Sequence, residues 1–525
     1  MTDTPQAPAS RKRGAWLDRL ERIGNLLPDP VIIFLFLIVV LVAVSMIAAA
    51  AGWSAIHPMT GKLLEVKSLL SSENVAKLLV GMPETLTRFP PLGLVLVVIL
   101  GASVAEKSGL FHAMLGGAVR RIPRAAMTPA LFLIGLMSHH AADAAYVVLI
   151  PMAALIYREA GRHPLVGIAA AYAGISGAFA ANLLPGQFDV LMLGITQASA
   201  HLIDPGYVLN PLGNWYFTSA LGILLTPIAW FVTDKVIEPR MGPAPAYDID
   251  INDPSFADDL DDRQKAGLRG AGIAALIICG LFAALALWPG YTPLIDQEET
   301  GPARLGPCYS ALVAGFMLLF LVCGVVYGRI AGTARDNRTI IAAMSDGLRA
   351  LAPYIVIVFF AAHFVAMFNW SSLGPVMAVK GAEQLRQLHL PVPVMLVVLL
   401  IVSSMLDLVI GSASAKWTVM APVVVPMLML LHVSPEMTTA AFRMGDSIFN
   451  IVTPVASNFP LVLILCRRWA PDFGVGSLIA LMIPYTMAFA VAGLSLVAVW
   501  SAIGAPVGPG TPAVYTPSAV AAAIR

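Results

Sequence analysis

Ionisable residues inside apolar segments give this sequence most of its chemistry. In 403–458 they are Asp407, Lys416, Arg443 and Asp446, and in 138–189 they are His139, His140, Asp143 and Asp189. A charge near the centre of a bilayer is costly, so each is a candidate with a partner or ligand to be found. Arg443 and Asp446 are three apart and share a helix face. They form either a structural ion pair or a working one, in which Arg443 holds a carboxylate ligand and Asp446 titrates or binds a cation. Arginine suits a carboxylate because its planar fork donates two parallel hydrogen bonds. Asp189 follows the break AANLLPGQF and has no basic neighbour in sequence, so it is either a helix cap or a buried proton carrier. Asn182 lies in the same break and joins the substrate-binding candidates. Asp143 is a further candidate cap.

Ser412 and Ser414 are small residues before an aromatic one, suited to a tight tip whose free backbone amides favour an anion. Trp417 offers a flat face to an aromatic solute, or belongs to an interfacial belt. Asp407 adds a carboxylate near Asp446, which makes a Na+ site between the two a candidate. His139 and His140 are adjacent, point to different helix faces and do not make a two-histidine metal site. His363 stands alone on an apolar helix and reads as a packed histidine. No nucleophile–base spacing and no two-histidine-plus-carboxylate motif is present, so no catalytic residues are assigned and an enzyme is disfavoured. No cofactor is expected beyond a coupling ion, H+ or Na+.

The elements that must position these groups are membrane helices. The chain is 58% hydrophobic and 12% charged, where a soluble domain carries about 25% charged residues. Residues 31–51, 163–188, 205–233, 270–295, 305–328 and 350–379 hold no charge. About 20 apolar residues cross the hydrocarbon core as a helix, and a membrane β-barrel would instead show short alternating segments. The fold class is all-α and polytopic. A net charge of +1 points to no nucleic-acid partner, and Cys279, Cys308, Cys323 and Cys466 show no metal-ligand spacing. The basic residues Arg11, Lys12, Arg13, Arg19 and Arg22 put the N-terminus on the cytoplasmic side, and later basic loops alternate consistently with it.

Two regions break the pattern of simple spans, and they resemble each other. Tyr146, Pro151 and Pro164 have the same separations as Trp417, Pro422 and Pro435. Paired, interrupted hydrophobic segments in corresponding halves point to the binding site of a secondary transporter. One re-entrant hairpin per half would line a polar cavity; the alternative is a pair of proline-kinked spans. The expected organisation is a cytoplasmic tail over 1–28, then a first membrane repeat over 29–238 with a hairpin near 138–160. A cytoplasmic linker covers 239–268, and a second repeat covers 269–504 with a hairpin near 406–432. Residues 505–525 read as a flexible tail.

The stretch GSASAKWTVMAPVVVPMLMLLHVSPEMTTAAFRMGDSIFNIVTP over 411–454 resembles the signature region of the AbgT family, the p-aminobenzoyl-glutamate transporters. DAAYVVLIPMAALIY over 143–157, ANLLPGQFD over 181–189 and the GIT, IDP and NPLGNWYF pieces of 194–217 resemble it too. The resemblance implies a homodimer in a bacterial inner membrane, with about nine spans and two re-entrant hairpins per subunit. It implies a small aromatic anion as substrate, either p-aminobenzoyl-glutamate, a folate breakdown product, or sulfonamide-type antimetabolites. It also implies pathway roles for Asp189, Ser414, Trp417, Pro435, Arg443, Asp446 and Pro454. Asp407 departs from the family's more frequent Asn, Ala413 from its Gly, and His139-His140 from a hydroxyl-rich tip. A carrier for another organic anion on a similar scaffold is the alternative substrate reading, and a channel is the alternative from another class.

Overall fold

The computed structural model describes residues 30–56, 61–119, 123, 126–138, 144–242, 260–288, 291–298, 304–408, 410–454, 456 and 458–517. His139, His140 and Asp143 lie outside them. Among the described residues six helices are long and apolar enough to cross a membrane. They are Ser72–Lys107, Trp215–Met241, Asp262–Leu287, Gly306–Ala331, Ala352–Trp370 and Val475–Ile503. A further apolar helix, Pro30–Ala50, precedes them, and a two-stranded antiparallel ribbon pairs Ser54–Ile56 with Leu63–Glu65. The helix Asp262–Leu287 starts inside the segment read as linker, because Asp261 and Gln264 form a reciprocal capping box there.

The matched proline spacing corresponds to a matched order of helices. The first set runs Met127–Met137, Ala144–Glu159, Pro164–Tyr172, Gln187–Ala200 and Trp215–Phe231. The second runs Val392–Leu406, Ala413–Met429, Pro435–Phe449, Phe459–Trp469 and Val475–Ile503. In both sets the first helix packs on the third and on the fifth. Pro164 and Pro435 each open the third helix, where a missing N–H costs nothing. The residue before each is the cap: His163 Nδ1 accepts from the Leu165 amide and Ser434 Oγ from the Met437 amide. The offset that pairs Tyr146 with Trp417 also pairs Gly174 with Gly445. A Cβ on Gly174 would collide with the Phe132 carbonyl, and one on Gly445 with the Leu400 carbonyl. Both third helices therefore press their backbones against the first helix of their own set, which only a glycine permits.

The third helix of the first set passes into a π-helical turn, Ala173–Gly177, and the chain then leaves helical geometry until Gln187. Unpaired backbone in an apolar surround is costly, so this break needs protein partners. It finds them. Ser447 Oγ accepts from the Ala180 amide at 2.6 Å, and Trp215 Nε1 donates to the Leu183 carbonyl at 2.8 Å. Ser219 Oγ donates to the Asn182 carbonyl, and the Asp189 carboxylate accepts from the Gly186 amide at 2.7 Å.

Residues 505–517 are a packed strap and not a flexible tail. The Val507 carbonyl accepts from the Tyr216 and Phe217 amides, and the Ala513 carbonyl accepts from the Ser434 amide. Tyr515 OH donates to Asp204 Oδ2 at 2.8 Å. Val507 and Tyr515 are buried. A proline- and glycine-rich composition suggested mobility, but apolar side chains every few residues give this segment a surface to cover. Residues 518–525 lie outside the described ones.

Candidate functional site

The charges of the two halves meet where the Gln187–Ala200, Ala413–Met429 and Pro435–Phe449 helices converge. Asp189 sits in the first turn of its helix. Its Oδ2 accepts from the Gly186 amide and from Asn182 Nδ2 at 2.9 Å, and its Oδ1 accepts from Arg443 Nη1 at 2.6 Å. The geometry fits the helix-cap reading of Asp189 and adds a feature that neither reading contained, a buried ion pair with Arg443. The Asn182 side-chain amide thus holds the orientation of the Asp189 carboxylate. Asp189 is not a lone carboxylate, because its cation comes from the other half of the chain, beyond the reach of local spacing.

Arg443 and Asp446 share one helix as their spacing requires, yet each is paired elsewhere. Arg443 is 2% exposed, spends one Nη on Asp189 and lays its guanidinium 5.2 Å from the Phe188 ring centroid. Its Nε and Nη2 are buried and find no hydrogen-bond partner among the described residues. Half of the fork is thus available. Asp446 Oδ1 lies 2.5 Å from Lys416 Nζ, and Asp407 pairs with the same ammonium from the end of the Val392–Leu406 helix. All three side chains of this second cluster are at most 2% exposed. The candidate Na+ position between Asp407 and Asp446 is therefore taken by a lysine. Among the described residues no group of three or more His, Cys, Asp or Glu is arranged to hold a metal ion.

Trp417 presents no open face in this conformation. It is fully buried, stacks on Phe442 with ring centroids 4.3 Å apart and donates from Nε1 to Thr196 Oγ1 at 2.8 Å. Thr196 in turn bonds Thr439 at 2.9 Å, so the 187–200, 413–429 and 435–449 helices are tied by one polar chain. Ser414 is half-buried in the first turn of the 413–429 helix, 3.3 Å from the capping Ser412 hydroxyl. Pro435 opens its helix, and Pro454 is half-buried in the turn that follows it. His363 is a packed histidine as expected: Nδ1 lies 2.6 Å from the Phe359 carbonyl, against the Phe359 ring.

One acidic residue of the site escaped sequence reasoning. Glu436 is 3% exposed, accepts from Tyr207 OH at 2.9 Å, and has its carbonyl bonded by Asn214 Nδ2 at 2.7 Å. A glutamate just after a Ser-Pro start reads as an ordinary helix-dipole partner, and only its long apolar neighbourhood could have flagged it. Asp189, Thr196, Asn214, Glu436, Thr439 and Arg443 line a cavity of about 20 Å³. That is room for about one water, far below the roughly 300 Å³ or more of a small-molecule pocket. The site is closed.

Five buried ion-paired groups, with Glu436 beside them, thus converge from the two sets of helices, and similarity to known proteins gives the family. The chain matches the AbgT transporter family over residues 15–515. It belongs to that family. It is 34% identical over 510 residues to the p-aminobenzoyl-glutamate transport protein of Escherichia coli K12, spanning 97% of this chain and 98% of that protein. Two solved structures share the fold. The Alcanivorax borkumensis YdaH transporter superposes with a TM-score of 0.86 at 38% identity, over 92% of this chain and 100% of that one. Neisseria gonorrhoeae MtrF, described among a class of antimetabolite efflux pumps, superposes with a TM-score of 0.87 at 38% identity, over 95% and 100%. This AbgT member is accordingly a membrane transporter and not an enzyme.

Proposed function

We propose that this AbgT transporter is an ion-coupled secondary carrier of p-aminobenzoyl-glutamate or sulfonamide-type antimetabolites across a bacterial inner membrane. Its N-terminus is cytoplasmic, and it works as a homodimer with about nine spans and two re-entrant hairpins per subunit. Short helices such as Met127–Met137 and Val392–Leu406 support the hairpins, since neither is long enough to cross a bilayer alone. The observation that carries the reading is Arg443: a buried guanidinium whose Nε and Nη2 are unpaired among the described residues, adjoining a small polar cavity. That free half matches one more carboxylate or acidic sulfonamide anion.

The ion-paired groups set Asp189, Asp407 and Asp446 against Lys416 and Arg443, one negative charge in excess when these five are ionised, and the buried Glu436 beside them adds a further carboxyl group. A charge left over at membrane depth favours uptake of a cation, which is how the solute's movement is coupled to an ion gradient. Substrate requires the cavity to widen, so the 187–200 helix and the 435–449 helix separate in the loading state. Flux of p-aminobenzoyl-glutamate and a sulfonamide into proteoliposomes tests this. The expected result is saturable movement driven by an imposed ion gradient and inhibited by the other substrate. Movement that neither saturates nor follows any cation gradient makes the protein a channel and refutes the reading; failure of both solutes to move refutes the substrate class.

A further inference from the structure

The second ion cluster contains a cation that is part of the chain. Lys416 enters from the first turn of the 413–429 helix, Asp407 from the end of the 392–406 helix and Asp446 from the last turn of the 435–449 helix. Two carboxylates from separate helices thus converge at a broken segment and face one point. Hard oxygens gathered around one point are the usual make-up of an alkali-cation site at a discontinuous membrane helix. Here the point is filled by Lys416 Nζ, 2.5 Å from Asp446 Oδ1 and paired with Asp407.

The first repeat shows that this cluster is not required to pack such a helix pair. By the offset that matches Tyr146 to Trp417 and Gly174 to Gly445, Lys416 corresponds to Ala145 and Asp446 to Ile175. Both are buried and apolar. Tyr172 likewise stands where Arg443 does in the second repeat, and it is buried with its hydroxyl on the Asn450 carbonyl. One repeat packs these positions with an alanine and an isoleucine; the other places a lysine and an aspartate there. Burying charge that folding does not need is a mark of function.

We infer that Lys416 is a tethered cation that occupies the position a coupling Na+ would take between Asp407 and Asp446, and that it makes this carrier indifferent to Na+. The inference rests on the reading of the protein as an ion-coupled carrier, but its test reads cation binding without substrate. Melting midpoints of the purified protein in detergent are compared in NaCl, KCl and choline chloride at equal ionic strength. The native protein is expected to melt at the same temperature in all three. Lys416→Ala, which leaves Asp407 and Asp446 facing an empty point, is expected to melt lower in K+ and to recover with a rise that saturates as Na+ is added, as specific ligand binding requires. Lys416→Gln, closer in size, serves if the alanine variant does not fold, with the same expected Na+ response. A saturating Na+-specific stabilisation of the native protein overturns the inference, as does a folded Lys416 variant blind to Na+. Neither result depends on whether p-aminobenzoyl-glutamate is the solute.

Discussion

Removing Asp189 separates the two roles that a buried ion pair can have. In Asp189→Ala the Arg443 guanidinium keeps no hydrogen-bonded partner among the described residues, since Asp189 is the one they give it. Breaking a buried pair by deleting one member costs about 3–5 kcal/mol. Asp189 also caps its helix through the Gly186 amide, and a lost cap adds about 1 kcal/mol. Arg443→Ala is milder, because Asp189 retains the Gly186 amide and Asn182 Nδ2 as donors; about 3 kcal/mol is expected. Replacing both, as in Asp189→Leu with Arg443→Met, removes the uncompensated charge. Such apolar replacement of a buried pair is often neutral, so the double variant should lie within about 1–2 kcal/mol of the native protein once the cap is counted. Melting midpoints in detergent should rank the native protein first, then the double variant, Arg443→Ala and Asp189→Ala, while all three variants fail to transport in proteoliposomes. A double variant that transports would make the pair purely structural. An Asp189→Ala protein no less stable than Arg443→Ala would refute the hydrogen-bond accounting.

Trp417→Phe keeps an aromatic ring on Phe442 but loses the Nε1 bond to Thr196 and part of the buried ring volume. It should cost about 2–3 kcal/mol and leave the KM for uptake within a few-fold of native, whereas Trp417→Ala opens a larger cavity worth about 3–5 kcal/mol. A large KM change in the folded Phe variant would instead give the indole a direct place in the substrate path. Cutting the chain after Ala505 removes the carbonyl partners of the Tyr216, Phe217 and Ser434 amides. The truncated protein should melt well below the intact one, and an unchanged midpoint would return the strap to the status of a loose tail. Tyr515→Phe, which deletes one hydrogen bond to the buried Asp204 carboxylate, should lower stability by about 1.5–3 kcal/mol, read in the same melts.

Much of the architecture was legible because a bilayer imposes simple rules on a sequence. Uncharged runs marked the long helices, and the Tyr/Trp–Pro–Pro spacing marked the matched sets, since proline at the start of a helix leaves a positional trace. The partner of each charge was not legible. Spacing set Arg443 beside Asp446, but Asp189 and Lys416 reach them from other helices, and only packing decides such a choice. Trp417 looked available to a solute for the same reason: its cover, Phe442, comes from the next helix. The strap over 505–517 was hidden by its composition, as proline and glycine signal irregular backbone but not whether that backbone is docked. Glu436 and Tyr207 were hidden by distance along the chain, and so was the network in which Arg162 binds Asp234 and Glu238.

The central claim is that the free half of the Arg443 fork receives the solute's carboxylate, and equilibrium binding tests it without a gradient. Kd is measured for p-aminobenzoyl-glutamate and for its diamide, on the native protein and on Arg443→Gln. A hydrogen bond to a charged group contributes about 1.5–3 kcal/mol, so the native protein should favour the acid over the diamide by about 10- to 150-fold, and Arg443→Gln should lose that preference. Equal affinity of the native protein for acid and diamide, or an undiminished preference in a folded Arg443→Gln, would contradict the account.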